Sequence, residues 1–323
     1  MLDFTVVIPS RNRPVLLRTA LLSVLEQSHQ SVEVIVVNDG SNGENVKSYA
    51  ELEREFTPRV RFVQLEMTKN GHGQSYAINR GVEAAESQFV CFLDDDDYWI
   101  DNAHLAHAKQ ALANDQVDVY LTNQEAFRGV SKVDGPIWLE GLDAIIDTHG
   151  GKDVDGYYTA TIADLVACRG FGHLNTTVVR RSLYLQMGGM DENIRYECDW
   201  DFFLRLVDAA RRIRFSPGFT SHHNAPDPSK ALNMSTAVNM LQKMLFRTYV
   251  LDKAMLFAQS TVIRKHASQH KIYTLKRIAQ LLADESRYRD AYIYARQAGI
   301  HLLDLKWQIY SALLYVKALA TSK

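Results

Sequence analysis

The chain has 323 residues, 46% of them apolar and 23% charged, with 36 Lys+Arg against 38 Asp+Glu for a formal net charge of −2. Those proportions belong to an ordinary globular chain, long enough for one large domain or a domain with an appendage, and they exclude a fibrous or disordered polypeptide. Cys91, Cys168 and Cys198 are odd in number and far apart, which argues against a disulfide framework or a zinc site and for a reducing compartment.

No stretch approaches the ~18 unbroken apolar residues of a spanning helix. Met1-Leu2-Asp3-Phe4-Thr5 has no basic segment and no small-residue cleavage site, so no signal peptide is expected. Charge is unevenly spread. From Leu241 onward there are 14 Lys+Arg against 5 Asp+Glu, leaving 22 basic and 33 acidic residues before it. A basic tail on an acidic body suits an anionic partner such as lipid headgroups, or simply solvated helix faces.

The first ~125 residues alternate strand and helix patterns. Thr5-Val6-Val7-Ile8 is a β-branched run ending at Pro9, and Pro14 opens a helix with Leu17, Leu21, Val24 and Leu25 on one face. Val32 to Val37 is a second strand, closed by the turn Asn38-Asp39-Gly40-Ser41. Glu44 to Phe56 reads as helix, Val60 to Leu65 as strand, Gln74 to Ala85 as helix and Phe89 to Leu93 as a fourth strand. Such repetition, with apolar strands, predicts a mainly parallel sheet flanked by helices.

The region from about Asn123 to Gly170 shows no distinct strands. Beyond it, Thr176 to Arg181 reads as a strand and Asp199 to Arg212 as a helix. Pro217, Pro226 and Pro228 break the next stretch, where a domain boundary is placed: 1–228, then an all-helical 229–323. There Leu275, Ile278 and Leu282 share one helix face, and Ile309, Ala312, Leu313 and Val316 another.

Open sheets of this kind bind ligands at the carboxyl ends of their strands. Ser10 and Arg11, Asp39, and the run Asp94-Asp95-Asp96-Asp97 all fall there. Four adjacent carboxylates repel unless a cation sits among them, and Mg²⁺ or Mn²⁺ carrying a phosphate ligand fits. Gly71-His72-Gly73 is followed by Tyr76 where a dinucleotide fingerprint needs glycine, and no P-loop occurs. His104/His107 and His266/His270 have ligand-like spacing but lack acidic partners, so ordinary helix positions are the better reading.

Val6-Val7-Ile8-Pro9-Ser10-Arg11, Val36-Val37-Asn38-Asp39-Gly40-Ser41, Phe92-Leu93-Asp94-Asp95-Asp96-Asp97 and Gly188-Gly189-Met190-Asp191-Glu192 occur in an order that resembles family 2 glycosyltransferases. The similarity covers about Phe4 to His223 and implies a GT-A, Rossmann-like, mainly parallel α/β sheet followed by a helical domain. It implies an inverting enzyme that moves a sugar from a nucleotide-sugar donor, expected to be a UDP-sugar, to a glycan or lipid-linked saccharide acceptor during surface polysaccharide synthesis. Pro9, Arg11, Asp39, Asn79, Asp94, Asp95 and Asp97 would bind the donor, Asp96 and His223 (or His222) would hold Mn²⁺ or Mg²⁺, and Asp199 would be the general base.

The same resemblance implies a cytoplasmic protein at the inner membrane face, with an anionic membrane surface and self-association among its contacts and no nucleic acid. Two positions depart from the family pattern. Cys198 replaces an acidic residue beside Asp199, and Ile78 replaces an arginine. The alternative that the Cys198 change allows is a catalytically silent scaffold that recruits partner enzymes.

Overall fold

The computed structural model describes residues 2–227, 238–300 and 304–321. The chain divides into two compact units, Met1–Asp227 and Pro228–Lys323.

The first unit is built on one sheet. Its strands are β1 Phe4–Ser10, β2 Val32–Asn38, β3 Val60–Gln64, β4 Phe89–Phe92, β5 Tyr98–Trp99, β6 Val119–Arg128, β7 Ser131–Lys132, β8 Tyr158–Ala160, β9 Thr177–Arg180 and β10 Ile213–Asn224. The order is β3-β2-β1-β4-β9-β6-β10-β5, with β7 on β6 and β8 on β10. The first four strands run parallel, β9 is antiparallel to β4 and β6, and β6 and β10 are parallel to each other. The sheet is therefore mainly parallel with one reversed strand inside it.

All seven residues of β1 are buried, as expected of a β-branched strand covered on both faces. Pro9 is tolerated because the β1–β4 ladder has ended at Val7↔Phe92. The helices are α1 Pro14–Leu25, α2 Gly43–Phe56, α3 Gln74–Ala84, α4 His104–Ala111, α5 Leu142–Asp147, α6 Ile162–Ala167, α7 Arg181–Gln186 and α8 Cys198–Ala209. Leu17, Leu21 and Val24 of α1 and Tyr49, Leu52 and Phe56 of α2 join one core cluster with Val6, Ile8 and Val34.

Three local expectations need correction. The indistinct middle contains the ten-residue strand β6, in which Thr122, Asn123 and Gln124 are buried polar residues that interrupt the apolar pattern. Pro217 does not end a segment: β10 runs through it, and pairing with β6 shifts register between Phe215 and Phe219 and again before Ser221. A bulge needs no ladder hydrogen bond from every residue, so proline fits there. His104 is no surface residue. It is fully buried between Trp99 (ring centroids 4.8 Å) and Tyr120 (6.3 Å), and burial lowers its pKa to about 4.

The second unit contains α9 Met240–Phe257, α10 Thr261–Asp284, α11 Tyr288–Ile300 and α12 Leu305–Thr321. Leu275, Ile278 and Leu282 of α10 pack with Ala291, Ala295 and Ala298 of α11 and with Trp307 and Leu314 of α12. Trp307 Nε1 donates to the Ala295 carbonyl at 3.0 Å. On α12 the row Ile309, Leu313 and Val316 is 54–61% exposed, whereas Trp307, Ser311, Leu314 and Ala318 face inward. The helix is apolar on both sides, so periodicity alone could not select its buried face.

Helix α3 lies so close to the sheet that a Cβ on Gly81 would stand 2.3 Å from Val7 Cγ1 and 3.1 Å from Val37 Cγ2. Alanine there gains helix propensity of up to about 1 kcal/mol but forces overpacking that costs about 1–3 kcal/mol. Gly81→Ala is expected to lower the midpoint of urea unfolding, and an unchanged or raised midpoint would contradict this packing.

Candidate active site

Because six strands of the main path point the same way, their carboxyl ends share one rim. Ser10 closes β1, Asn38 closes β2 with Asp39 directly after it, Asp94 to Asp97 follow β4, and Asn224 closes β10. The reversed β9 brings its amino end to this rim, and with it the preceding segment His173-Leu174-Asn175.

Carboxylate oxygens of Asp94, Asp96 and Asp97 lie within 4.8 Å of one another. Burial, then repulsion from Asp97 and Asp96, pushes the Asp94 carboxyl well above its ordinary pKa, and Asp96 is raised for the same reasons. Burial also acts on Asp97, but there hydrogen bonds from His223 Nδ1 (2.7 Å) and the Asn224 N–H (2.7 Å) prevail and hold the carboxyl below its usual range. Asn175 Nδ2 adds a third bond to Asp97 at 2.6 Å. Gln74 Nε2 donates to Asp94 at 2.6 Å, and Asn175 Oδ1 accepts the Asp94 N–H at 2.9 Å. Oxygen donors at this spacing fit a hard divalent cation, which would relieve the repulsion that raises Asp94 and Asp96.

His223 reaches this cluster whereas His222 does not. His222 is stacked between Tyr98 (4.6 Å) and Phe127 (4.5 Å). Asp95 stands apart from the three. It is buried, accepts Ser10 Oγ at 2.7 Å and pairs with Arg13 at 3.1 Å, an arginine that also meets Asp96 at 2.8 Å. Burial lifts Asp95 to about 6 against the opposing pull of Arg13. It thus anchors Arg13 and the end of β1.

Asp39 is buried, and its carboxylate accepts the N–H groups of His72 and Gly73 at 2.9 Å each and His72 Nδ1 at 2.7 Å. Gly71, at φ +68°, must be glycine, because a Cβ would meet Asp39 Oδ2 at 2.6 Å and Arg11 Cδ at 2.9 Å. Arg11 closes the same loop through the carbonyls of Thr68 and Lys69. Asp39, Arg11 and the 71–73 loop therefore form one wall of the rim, and Pro9 is a buried residue of β1.

Asn79 is not brought to the rim's open side. Its amide accepts Tyr184 Oη at 2.6 Å and the Met190 N–H at 2.9 Å, and donates to the Met190 carbonyl at 3.0 Å and to Glu192 at 2.7 Å. All four hydrogen-bonding capacities are used within the protein, so Asn79 ties α3 to the Gly188-to-Glu192 turn.

Asp199 is in the first turn of α8 with Oδ1 accepting the Trp200 N–H at 2.8 Å; burial raises its pKa. Its other oxygen lies 4.0 Å from His173 Nε2, which lies 3.9 Å from Asp94 Oδ2. His173, absent from the sequence-based set, thus stands between the expected base and the acidic cluster. Its Nδ1 accepts the Asn175 N–H at 3.3 Å, and burial lowers its pKa to about 3. It is neutral, with its proton on Nε2. Trp138 packs edge-on against both His173 (4.7 Å) and His223 (5.6 Å). Cys198 is buried with Sγ 4.0 Å from Gln74 Oε1, and burial keeps its thiol protonated.

A mainly parallel α/β sheet with an acidic cluster at its rim is of the GT-A class. Residues 5–163 match the model of Glycosyl transferase family 2, and the chain belongs to that family. The amylovoran biosynthesis glycosyltransferase AmsB of Erwinia amylovora is 28% identical over 63% of this chain and 64% of its own. The succinoglycan biosynthesis protein ExoW of Rhizobium meliloti is 35% identical over 66% of each. The chain thus spans slightly less than two thirds of these relatives. Among solved structures, S. aureus TarS 1-349 in complex with UDP-GlcNAc superposes with a TM-score of 0.63 at 20% identity, covering 85% of this chain and 72% of that one. The mannosyltransferase PcManGT of Pyrobaculum calidifontis, in complex with GDP-Man and Mn²⁺, gives 0.59 at 17% identity over 98% and 86%. These likenesses support the fold.

Proposed function

We propose that the protein transfers a sugar, with inversion, from a UDP-sugar to a hydroxyl of a growing, lipid-linked glycan in polysaccharide synthesis. The observation that carries this reading is the convergence of Asp94, Asp96 and Asp97 beside His223, with Asp199 facing the same group across His173. The UDP-GlcNAc complex of the TarS fold supports the donor class. A Campylobacter jejuni relative, 32% identical over 32% of this chain, is named as a glucosyltransferase acting on an undecaprenol-linked saccharide, which supports the acceptor class.

Asp96 and His223, flanked by Asp94 and Asp97, would hold Mn²⁺ or Mg²⁺. When bound, the cation supplies charge neutralisation to the diphosphate leaving group. The Asp39 and Arg11 wall would take the nucleoside. Asp199 removes the acceptor hydroxyl's proton as that oxygen attacks the anomeric carbon from the face opposite the departing diphosphate. Partial burial suits this role, since a raised pKa makes the carboxylate a stronger base. The neutral His173 adds no positive charge that would weaken that base.

The scaffold alternative rests on Cys198, which leaves one carboxylate fewer near the base. Asp199 itself is retained, so catalysis is the better reading. Asp199→Asn is expected to lower kcat by roughly 10²–10⁴-fold with UDP affinity kept. Turnover close to the unaltered enzyme would remove Asp199 from the mechanism. Asp96→Ala is expected to abolish the part of UDP binding that depends on Mn²⁺ in calorimetric titration, and unchanged metal-dependent binding would count against the cation site.

The helical unit is proposed to meet an anionic membrane surface. Basic residues predominate from Leu241 onward, α12 exposes Leu305, Ile309, Leu313, Val316 and Leu319, and among the described residues no helix is long and apolar enough to cross a membrane. Co-sedimentation with phosphatidylglycerol vesicles should fall as salt rises and be weak with phosphatidylcholine. Equal sedimentation with both lipids, or with neither, would discard this contact.

A further inference from the structure

His173 caps the 3₁₀ turn Leu174–Thr176 that leads into the reversed strand β9. Its position is fixed from several sides. Nδ1 accepts the Asn175 N–H at 3.3 Å, and the His173 carbonyl accepts Thr176 Oγ1 at 3.1 Å and Thr177 Oγ1 at 2.7 Å. Trp138 stands edge-on to the ring at 4.7 Å and the His223 ring lies 5.4 Å away, and His173 is only 6% exposed. A ring nitrogen that accepts an N–H carries no proton, so the neutral imidazole keeps its proton on Nε2.

Capping needs only Nδ1. Asn, Asp, Ser or Thr would accept the same N–H with a shorter side chain, and these are the usual residues at such positions. Histidine adds a second nitrogen farther from the backbone, and Nε2 lies 3.9 Å from Asp94 Oδ2 and 4.0 Å from Asp199 Oδ2. Both carboxylates are engaged through their other oxygens. Asp94 Oδ1 accepts Gln74 Nε2 at 2.6 Å, and Asp199 Oδ1 accepts the Trp200 N–H at 2.8 Å. Among the described residues, neither Oδ2 atom nor His173 Nε2 makes a hydrogen bond.

A withdrawn N–H without a partner is unfavourable, and a bond to either carboxylate oxygen would remove that cost. Closure of about 1 Å makes such a bond, and catalytic hydrogen bonds commonly tighten in this way once substrate enters. A donor at nearly equal distance from two carboxylates can serve them in turn. We propose that His173 is a positioning residue for the transfer: its Nε2–H holds Asp199 Oδ2 in place for the incoming hydroxyl. The same N–H turns to Asp94 Oδ2 once Asp199 has taken the hydroxyl's proton. His173 keeps its own proton throughout, so no charge is created on the ring. The inference rests on the glycosyl-transfer reading above and assigns a residue that acts through the base.

Two variants of the full chain separate the nitrogens. His173→Asn keeps an acceptor for the Asn175 N–H but has nothing at the Nε2 position. His173→Gln keeps a donor there and loses the cap. UDP release from UDP-GlcNAc, UDP-glucose and UDP-galactose with Mn²⁺, water serving as acceptor, gives kcat and KM. His173→Asn is expected to lower kcat about tenfold, the value of one neutral hydrogen bond, with donor KM and thermal midpoint kept. His173→Gln is expected to lose only about threefold in kcat while its midpoint falls. An Asn variant as fast as the unaltered protein, or a Gln variant slower than the Asn one, leaves His173 with the cap alone and overturns the proposal. NMR of the chain labelled with ¹⁵N-histidine decides separately, with the His173 signals identified by their loss in His173→Asn. The ring should be the Nε2–H tautomer, and Asp199→Asn should move its Nε2 signal. An Nδ1–H tautomer, or a signal that Asp199→Asn leaves in place, overturns the proposal even where donors are hydrolysed. If the unaltered protein hydrolyses no donor, the glycosyl-transfer reading is what suffers, and the NMR result still decides the His173 contact.

Discussion

Repulsion among carboxylates at the end of β4 is the constraint around which the rim is organised. Asp94, Asp96 and Asp97 bring negative charge into a space of 4.8 Å, at positions largely withdrawn from water. The chain answers only part of that charge. Arg13 offsets Asp95 and Asp96, and His223 with the Asn224 N–H stabilises Asp97. Asp94 is left with Gln74 and a raised pKa. A site so arranged has capacity for a cation, and a cation there has capacity for a phosphate.

The sheet supplies the geometry. Parallel strands bring Ser10, Asp39 and the aspartates to one edge, and the reversed β9 adds His173 and Asn175 to the same edge from the opposite chain direction. Asn175 then joins three features at once: the Asp94 backbone, the Asp97 carboxylate and the buried Gln124 of β6.

Much of this was legible before any coordinates. The strands β1, β2 and β4 are short, mostly apolar runs of β-branched or aromatic residues, so both their existence and the polar groups at their ends could be read directly. Strand β6 could not, because Thr122, Asn123 and Gln124 are buried for hydrogen bonding and look like loop residues in sequence. Strand β10 was hidden by Pro217, whose missing N–H matters little at a bulge. His173 carries no local signal at all, since its place follows from the reversal of β9, a tertiary fact. The internal partners of Asn79 and Asp95 were hidden for a related reason: both types suit ligand contact, and only the folded chain shows Asn79 bonded to Tyr184, Met190 and Glu192 and Asp95 to Ser10 and Arg13. On α12 an apolar pattern on every side left the choice of buried face to Trp307 and Leu314.

The most direct test of the central claim is diffraction at the manganese absorption edge from crystals grown with UDP and Mn²⁺. The account predicts one anomalous peak within coordination distance of the Asp96 carboxylate, adjacent to Asp94, Asp97 and His223, with diphosphate oxygens on its open side. UDP bound in the rim with no such peak, or a peak remote from these side chains, would contradict it.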